Sequence, residues 1–349
     1  MADLNPVGRS GMSVSRFCLG AMMFGTWGNS DHDDCIKIIH GALDAGINFV
    51  DTADIYSSGE SEVIVGKALR GRRDEVILAT KFALPMGGAN KLGGSRRWIM
   101  SAVEGSLRRL DTDWIDLYQM HRPDPVTDVE ETLEALTDLV RQGKVRTVGS
   151  STFPAESIVE AQWAAQRRNT ARFICEQPPY SILARGAEQA VLPTCTRYGM
   201  GAICWSPLAS GWLTGRYRRG VTSESGRAKL VPARFDMTTP ANKRKLDLID
   251  ALLTVSSEAG LPLTQLALAW VLEHPAVTSA IIGPRTMEQL RDLIPAISIT
   301  LSTEVLDAID DLVPPGTTVN PVDAGWSSPS LKANSRRRSA GIRNSFIST

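Results

Sequence analysis

From about residue 14 onward, short apolar runs alternate with longer stretches whose apolar residues recur at helical spacing. Residues 33–45 show the pattern well: Ile36, Ile39, Ala42 and Leu43 form one stripe, and Gly46 stops it. Phe49-Val50 follows as a strand. The spacing predicts further helices over 61–69, 95–110, 129–142, 156–167, 191–198, 243–259, 264–273 and 287–296. Strands are expected over 14–19, 76–80, 115–120, 145–151, 173–176, 201–206 and 279–282. Strands joined by helices pair in parallel, and eight such units in one chain close most simply into a (β/α)₈ TIM barrel. Gly8-Arg9-Ser10-Gly11 adds a hairpin turn in front of it.

The barrel is expected over 1–312, with Pro314-Pro315-Gly316 closing the folded body and 313–349 forming a flexible extension. Residues 216–242 lack periodicity and read as a long loop over the strand ends. Arg336-Arg337-Arg338 reads as part of a disordered tail, not a nucleic-acid patch.

Charge narrows the partners. Lys and Arg number 38 and so do Asp and Glu, which points away from nucleic acid and from anionic membranes. No apolar run reaches the roughly 18 residues that cross a bilayer. The start of the chain lacks a signal-peptide layout. The five cysteines are scattered and odd in number, which fits free thiols in a reducing cytoplasm. The four histidines show no metal-ligand spacing, so no metal is expected.

Three successive strands end on lone ionisable residues. Phe49-Val50 ends on Asp51, the run from Val76 to Thr80 ends on Lys81, and that from Ile115 to Met120 ends on His121. Tyr56 stands five residues after Asp51. In a parallel barrel all strand ends share the face that carries the active site. Reduction of a carbonyl needs a hydride at carbon, a proton at oxygen and support for the developing oxyanion. A phenol can donate that proton, and an ammonium beside it favours the phenolate left behind. Tyr56 is therefore the expected proton donor, Lys81 its cation, Asp51 the anchor of Lys81, and His121 a hydrogen-bond donor that orients the carbonyl.

With this set in order and in context, residues 5–312 resemble the aldo-keto reductase family. The resemblance implies a carbonyl reductase using NADPH/NADP+ and a small-molecule aldehyde, ketone or keto-sugar. It brings Gly20, Ala21, Met22 and Trp27 against cofactor and substrate. It assigns the nicotinamide amide to Ser151, Thr152 and Gln177, and stacks Trp205 on the ring. Thr152 departs from the asparagine common in the family. The segment containing Trp205, Ser206, Pro207, Leu208 and Ser210 resembles the family's pyrophosphate loop, with Arg216 and Arg227 as its cations. Gly283 and Arg285 follow the last strand, where a helix N-terminus suits a phosphate. Arg285 suggests the 2′-phosphate, hence NADP rather than NAD, and Gln289 and Asp292 match adenine-side positions.

Two other readings are weaker. A hydrolase would need a nucleophile near His121, and Val148-Gly149-Ser150-Ser151-Thr152 departs from the Gly-x-Ser-x-Gly elbow. No Gly-x-Gly-x-x-Gly lies between an early strand and helix, which disfavours Rossmann-type binding. The family also includes potassium-channel β subunits, which bind cofactor with weak turnover. Those proteins often carry asparagine at the position of His121, so His121 favours catalysis.

Overall fold

The computed structural model describes residues 4–218, 228 and 230–331. Eight strands close into a parallel barrel: β3 (Phe17–Gly20), β4 (Phe49–Asp51), β5 (Ile77–Phe82), β6 (Ile115–Met120), β7 (Val145–Ser151), β8 (Phe173–Gln177), β9 (Gly201–Cys204) and β10 (Val277–Ile282). They pair in chain order, and β10 closes the ring against β3 and β9. Ahead of them, β1 (Leu4–Pro6) and β2 (Ser13–Ser15) form an antiparallel hairpin.

Alternation along each strand decides what enters the barrel. Cys18, Phe49, Ala79, Leu117, Cys175 and Ile203 form one apolar cluster with Val7 and Val14 of the hairpin region. Two residues further along four of these strands stand Asp51, Lys81, Gln119 and Gln177, all buried. The same period of two that builds the apolar layer therefore stacks a polar layer above it. Residues of the other parity, such as Val50 and Leu78, pack outward into the main core.

The helical layer follows local signals. Asp31 caps His32–Asp44 through the Asp34 N–H, and Ser95 caps Arg96–Leu110 through the Trp98 N–H. The expected helix over 287–296 ends earlier, at Leu293, and Ile294–Ser298 continues as a 3-10 turn. Pro295 explains this, since it has no N–H to extend the helix. The expected strand over 14–19 is split at Arg16, whose guanidinium turns outward to the carbonyls of Ile297 and Leu272.

A larger difference lies at the C-terminus. Residues 313–331, expected to begin a flexible extension, pack onto the barrel. The Arg185 N–H donates to the Thr317 carbonyl and the Val319 N–H to the Leu183 carbonyl. Asn320 is buried and donates to Asn242 Oδ1, and Asp323 pairs with Lys245 Nζ at 2.6 Å. The Arg336-Arg337-Arg338 run lies outside the described residues. Among the described residues, no helix is long and apolar enough to cross a membrane. The five cysteines are buried and unpaired.

Candidate active site

The polar layer is organised around one carboxylate. Lys81 Nζ donates to Asp51 Oδ2 at 2.5 Å and to the Thr52 carbonyl at 2.9 Å. Asp51 Oδ1 accepts from Gln119 Nε2 at 3.1 Å and from Gln177 Nε2 at 3.0 Å. Both oxygens of Asp51 are thus occupied by donors from three strands, β5, β6 and β8.

Tyr56 reaches this layer through a strained loop. Ser57 and Ser58 both hold positive φ, at 48° and 56°, and Gly59 follows at 96°. The turn brings the Tyr56 hydroxyl to 3.3 Å from Lys81 Nζ. Ser57 Oγ accepts from the Trp27 N–H and donates to the Phe24 carbonyl, which ties this turn to the loop after β3. The His121 ring meets the Tyr56 ring edge-on with centroids 5.6 Å apart, and Trp27 approaches Tyr56 at 6.0 Å. The four residues expected to carry the chemistry are therefore one contiguous group.

Electrostatics separates their states. Burial opposes the Lys81 ammonium, but the Asp51 carboxylate beside it prevails, and the lysine stands above its ordinary pKa. His121 is pushed well below its ordinary value, first by burial and then by Lys81 and Arg122. It is a neutral imidazole, with Nδ1 buried and unpartnered.

A cavity of about 530 Å³ opens above this group. Tyr56, Asp51 and His121 line one part, together with Gly20, Met22 and Trp27. Ser151, Gln177, Trp205, Ser206, Pro207, Leu208 and Ser210 continue the wall. Arg216, Gly283, Arg285, Gln289 and Asp292 also line it. Positive φ at Ser206, Ala209 and Ser210 folds the loop after β9 tightly at the rim.

Three of the expected site residues, Ala21, Thr152 and Lys81, do not line this cavity. Ala21 is fully buried, with its N–H on the Asp51 carbonyl and its carbonyl accepting from Ser61 Oγ, so it supports the wall without lining it. Thr152 faces a second cavity of about 220 Å³. Its Oγ1 accepts from Trp205 Nε1 at 3.2 Å, so it holds the indole in place. Lys81 lies beneath the cavity floor, fully buried. Arg227 lies outside the described residues.

The structure also brings in residues that the sequence did not suggest. Gln119 shares Asp51, and its two-residue offset from Leu117 and His121 was the signal for it. Arg122, next to His121, and Arg234, from the aperiodic loop, both line the cavity. Nothing in the sequence pattern marks Arg234.

Comparison with known proteins adds a family. The profile of the Aldo/keto reductase family matches residues 16–314. The chain belongs to that family. This aldo/keto reductase is 41% identical over 334 residues to the "Uncharacterized oxidoreductase YrpG" of Bacillus subtilis (strain 168), covering 92% of this chain and 98% of that protein. It is 34% identical over 334 residues to the "Aldo-keto reductase YhdN" of the same organism, covering 94% and 98%. It is also 36% identical over 318 residues to a "Probable voltage-gated potassium channel subunit beta" of Oryza sativa subsp. japonica, covering 88% and 95%. The family is one of oxidoreductases that act on small-molecule carbonyls and generally use a nicotinamide cofactor.

Proposed function

We propose that this aldo/keto reductase is an NADPH-dependent carbonyl reductase acting in the cytoplasm on a small aldehyde, ketone or keto-sugar, with Tyr56 as proton donor. The observation that carries the reading is the Tyr56 hydroxyl, 3.3 Å from Lys81 Nζ at the foot of the cavity.

When bound, the nicotinamide supplies the hydride. The rest is work for the chain. Tyr56 gives its proton to the carbonyl oxygen, and the phenolate left behind faces the Lys81 cation. Asp51 keeps that cation charged, because it offsets the burial that opposes an ammonium. His121 is neutral, so it donates a hydrogen bond to the substrate oxygen rather than competing as the acid. Gln119 and Gln177 fix the Asp51 carboxylate and keep the group in register.

The donor set suits a dinucleotide phosphate. Arg216 and Arg285 line the cavity on the side of β9 and β10. Arg285 supports NADPH over NADH. Ser151 and Gln177 border the cavity where an amide would be held, and Trp205 offers a ring face.

Spectrophotometric oxidation of NADPH and NADH against a panel of aldehydes, ketones and keto-sugars tests the reading. Turnover that prefers NADPH is expected. Tight NADPH binding with no carbonyl reduced would favour a regulatory subunit, the role that the rice relative's name suggests.

A further inference from the structure

Two arginines line the cavity beside Trp205: Arg122 has no carboxylate partner among the described residues, and Arg234 shares Asp323 with Lys245. The Arg122 guanidinium carbon is 5.7 Å from the centre of the Trp205 ring, and that of Arg234 is 5.3 Å from it. Both line the same cavity as Tyr56 and His121. Among the described residues, the Arg122 guanidinium donates from Nη1 to the His121 carbonyl, at 2.5 Å. Arg234 donates from Nη1 to Ser210 Oγ at 3.2 Å and from Nη2 to the Val322 carbonyl at 3.4 Å.

The nearby acids are spoken for. Asp323 lies 3.5 Å from Arg234 Nε, but its other oxygen is 2.6 Å from the fully buried Lys245. Glu176 has both oxygens engaged, by Ser150 Oγ and the Phe153 N–H, and burial pushes it up to about 7. Asp51 is committed to Lys81. Burial pulls both guanidinium groups below their ordinary values, yet an arginine does not give up its proton in a protein. Arg122 is thus a half-buried cation with no carboxylate partner among the described residues, which is unfavourable until an anion arrives.

Topology separates Arg122 from the cofactor's cations, while Arg234 reaches Trp205 from the loop after β9. Arg122 follows β6 directly, and β6 stands opposite β10 in the ring, four strands away in either direction. Arg285 follows β10. The phosphate side and Arg122 therefore face each other across the barrel mouth, and Arg122 shares its side with His121.

We propose that the carbonyl substrate carries an oxyanion, a carboxylate or a phosphate, which Arg122 and Arg234 bind beside Trp205. Guanidinium groups present paired N–H donors that match such oxygens. The inference rests on the carbonyl-reductase reading and narrows its substrate class.

Matched carbonyls test it. Butanal against 4-oxobutanoate probes a carboxylate, and glyceraldehyde against glyceraldehyde 3-phosphate probes a phosphate. In the wild type, kcat/KM should favour the anionic member of one pair by about tenfold or more, as charge-assisted hydrogen bonds allow. Arg122→Gln and Arg234→Gln should each shrink that ratio, and the double variant should bring it near one. Calorimetric titration of the NADP+-saturated protein with butanoate and butanamide, and with inorganic phosphate, gives a readout independent of turnover. Anion binding that the variants lose supports the proposal even if no carbonyl on the panel is reduced, an outcome that would sink the reductase reading alone. Turnover with no preference for either anionic partner overturns the proposal and leaves the reductase standing. Variants that weaken NADPH binding while keeping the anion preference overturn it as well, because the pair would then serve the cofactor.

Discussion

The Lys81 ammonium and the Asp51 carboxylate meet at 2.5 Å, and the two side chains are 0% and 3% exposed. A pair so closed off from water is weak evidence for stability as a pair, but removing one partner strands a buried charge. Lys81→Met should therefore lower the free energy of unfolding by about 3–5 kcal/mol in a denaturant titration. Adding Asp51→Asn should restore part of that loss. Equal midpoints for Lys81→Met and the wild type would show that the pair is not buried in this way.

Asp54 gives a pH signature. Both of its carboxyl oxygens are buried without a hydrogen-bond partner. Burial, and then Glu62, push it from 3.8 up to about 8, while Arg109 and Lys81 act in the opposite direction. Between those values the folded chain keeps a proton that the unfolded chain has lost. Stability should then fall as pH rises through this window and level off above it, with a slope from this group of up to about 1.4 kcal/mol per pH unit. Asp54→Asn should flatten the profile measured by urea unfolding at about pH 5 and about pH 8. A parallel profile for the variant would remove Asp54 as the cause.

Thr152 and Trp205 should act as one unit. Thr152→Val removes the acceptor for the indole N–H. The loss of one such bond is worth about 1 kcal/mol, so the NADPH Kd should rise roughly fivefold. In a Trp205→Phe background the same change should add nothing. Additive effects would mean that Thr152 touches the cofactor itself.

Residues 313–331 pack onto the folded body. Lys245 is fully buried and its carboxylate partner is Asp323. A chain ending at Gly316 loses Asp323, and its thermal midpoint should drop by roughly 5–10 °C. An unchanged midpoint would show that the segment contributes nothing to stability.

The barrel was legible because periodicity reports burial, and burial in a (β/α)₈ fold is regular. Asp51, Lys81 and His121 stood out because strand ends break an apolar run with a charge. The group around Asp51 was only half visible: Gln119 sits inside β6, where a polar residue among apolar ones gives no sign of which strand it faces. Arg122 and Arg234 were not visible, since both owe their place to loop geometry and to contact across long sequence distances, with Trp205 and with Val322. The Thr152 contact with the indole was not legible because it depends on the orientation of the Trp205 ring, which no motif encodes. The contacts of residues 313–331 were not legible because they hold to the barrel by isolated bridges and caps, which carry no period.

The most direct test of the central claim is the Tyr56→Phe variant, assayed for NADPH oxidation with a reducible carbonyl and for NADPH binding on the same preparation. Turnover should fall at least about 100-fold, the range expected for loss of a general acid. The NADPH Kd should stay within about twofold, because the hydroxyl serves the carbonyl oxygen and not the cofactor. A variant that binds NADPH normally and reduces the carbonyl at the wild-type rate would contradict the account.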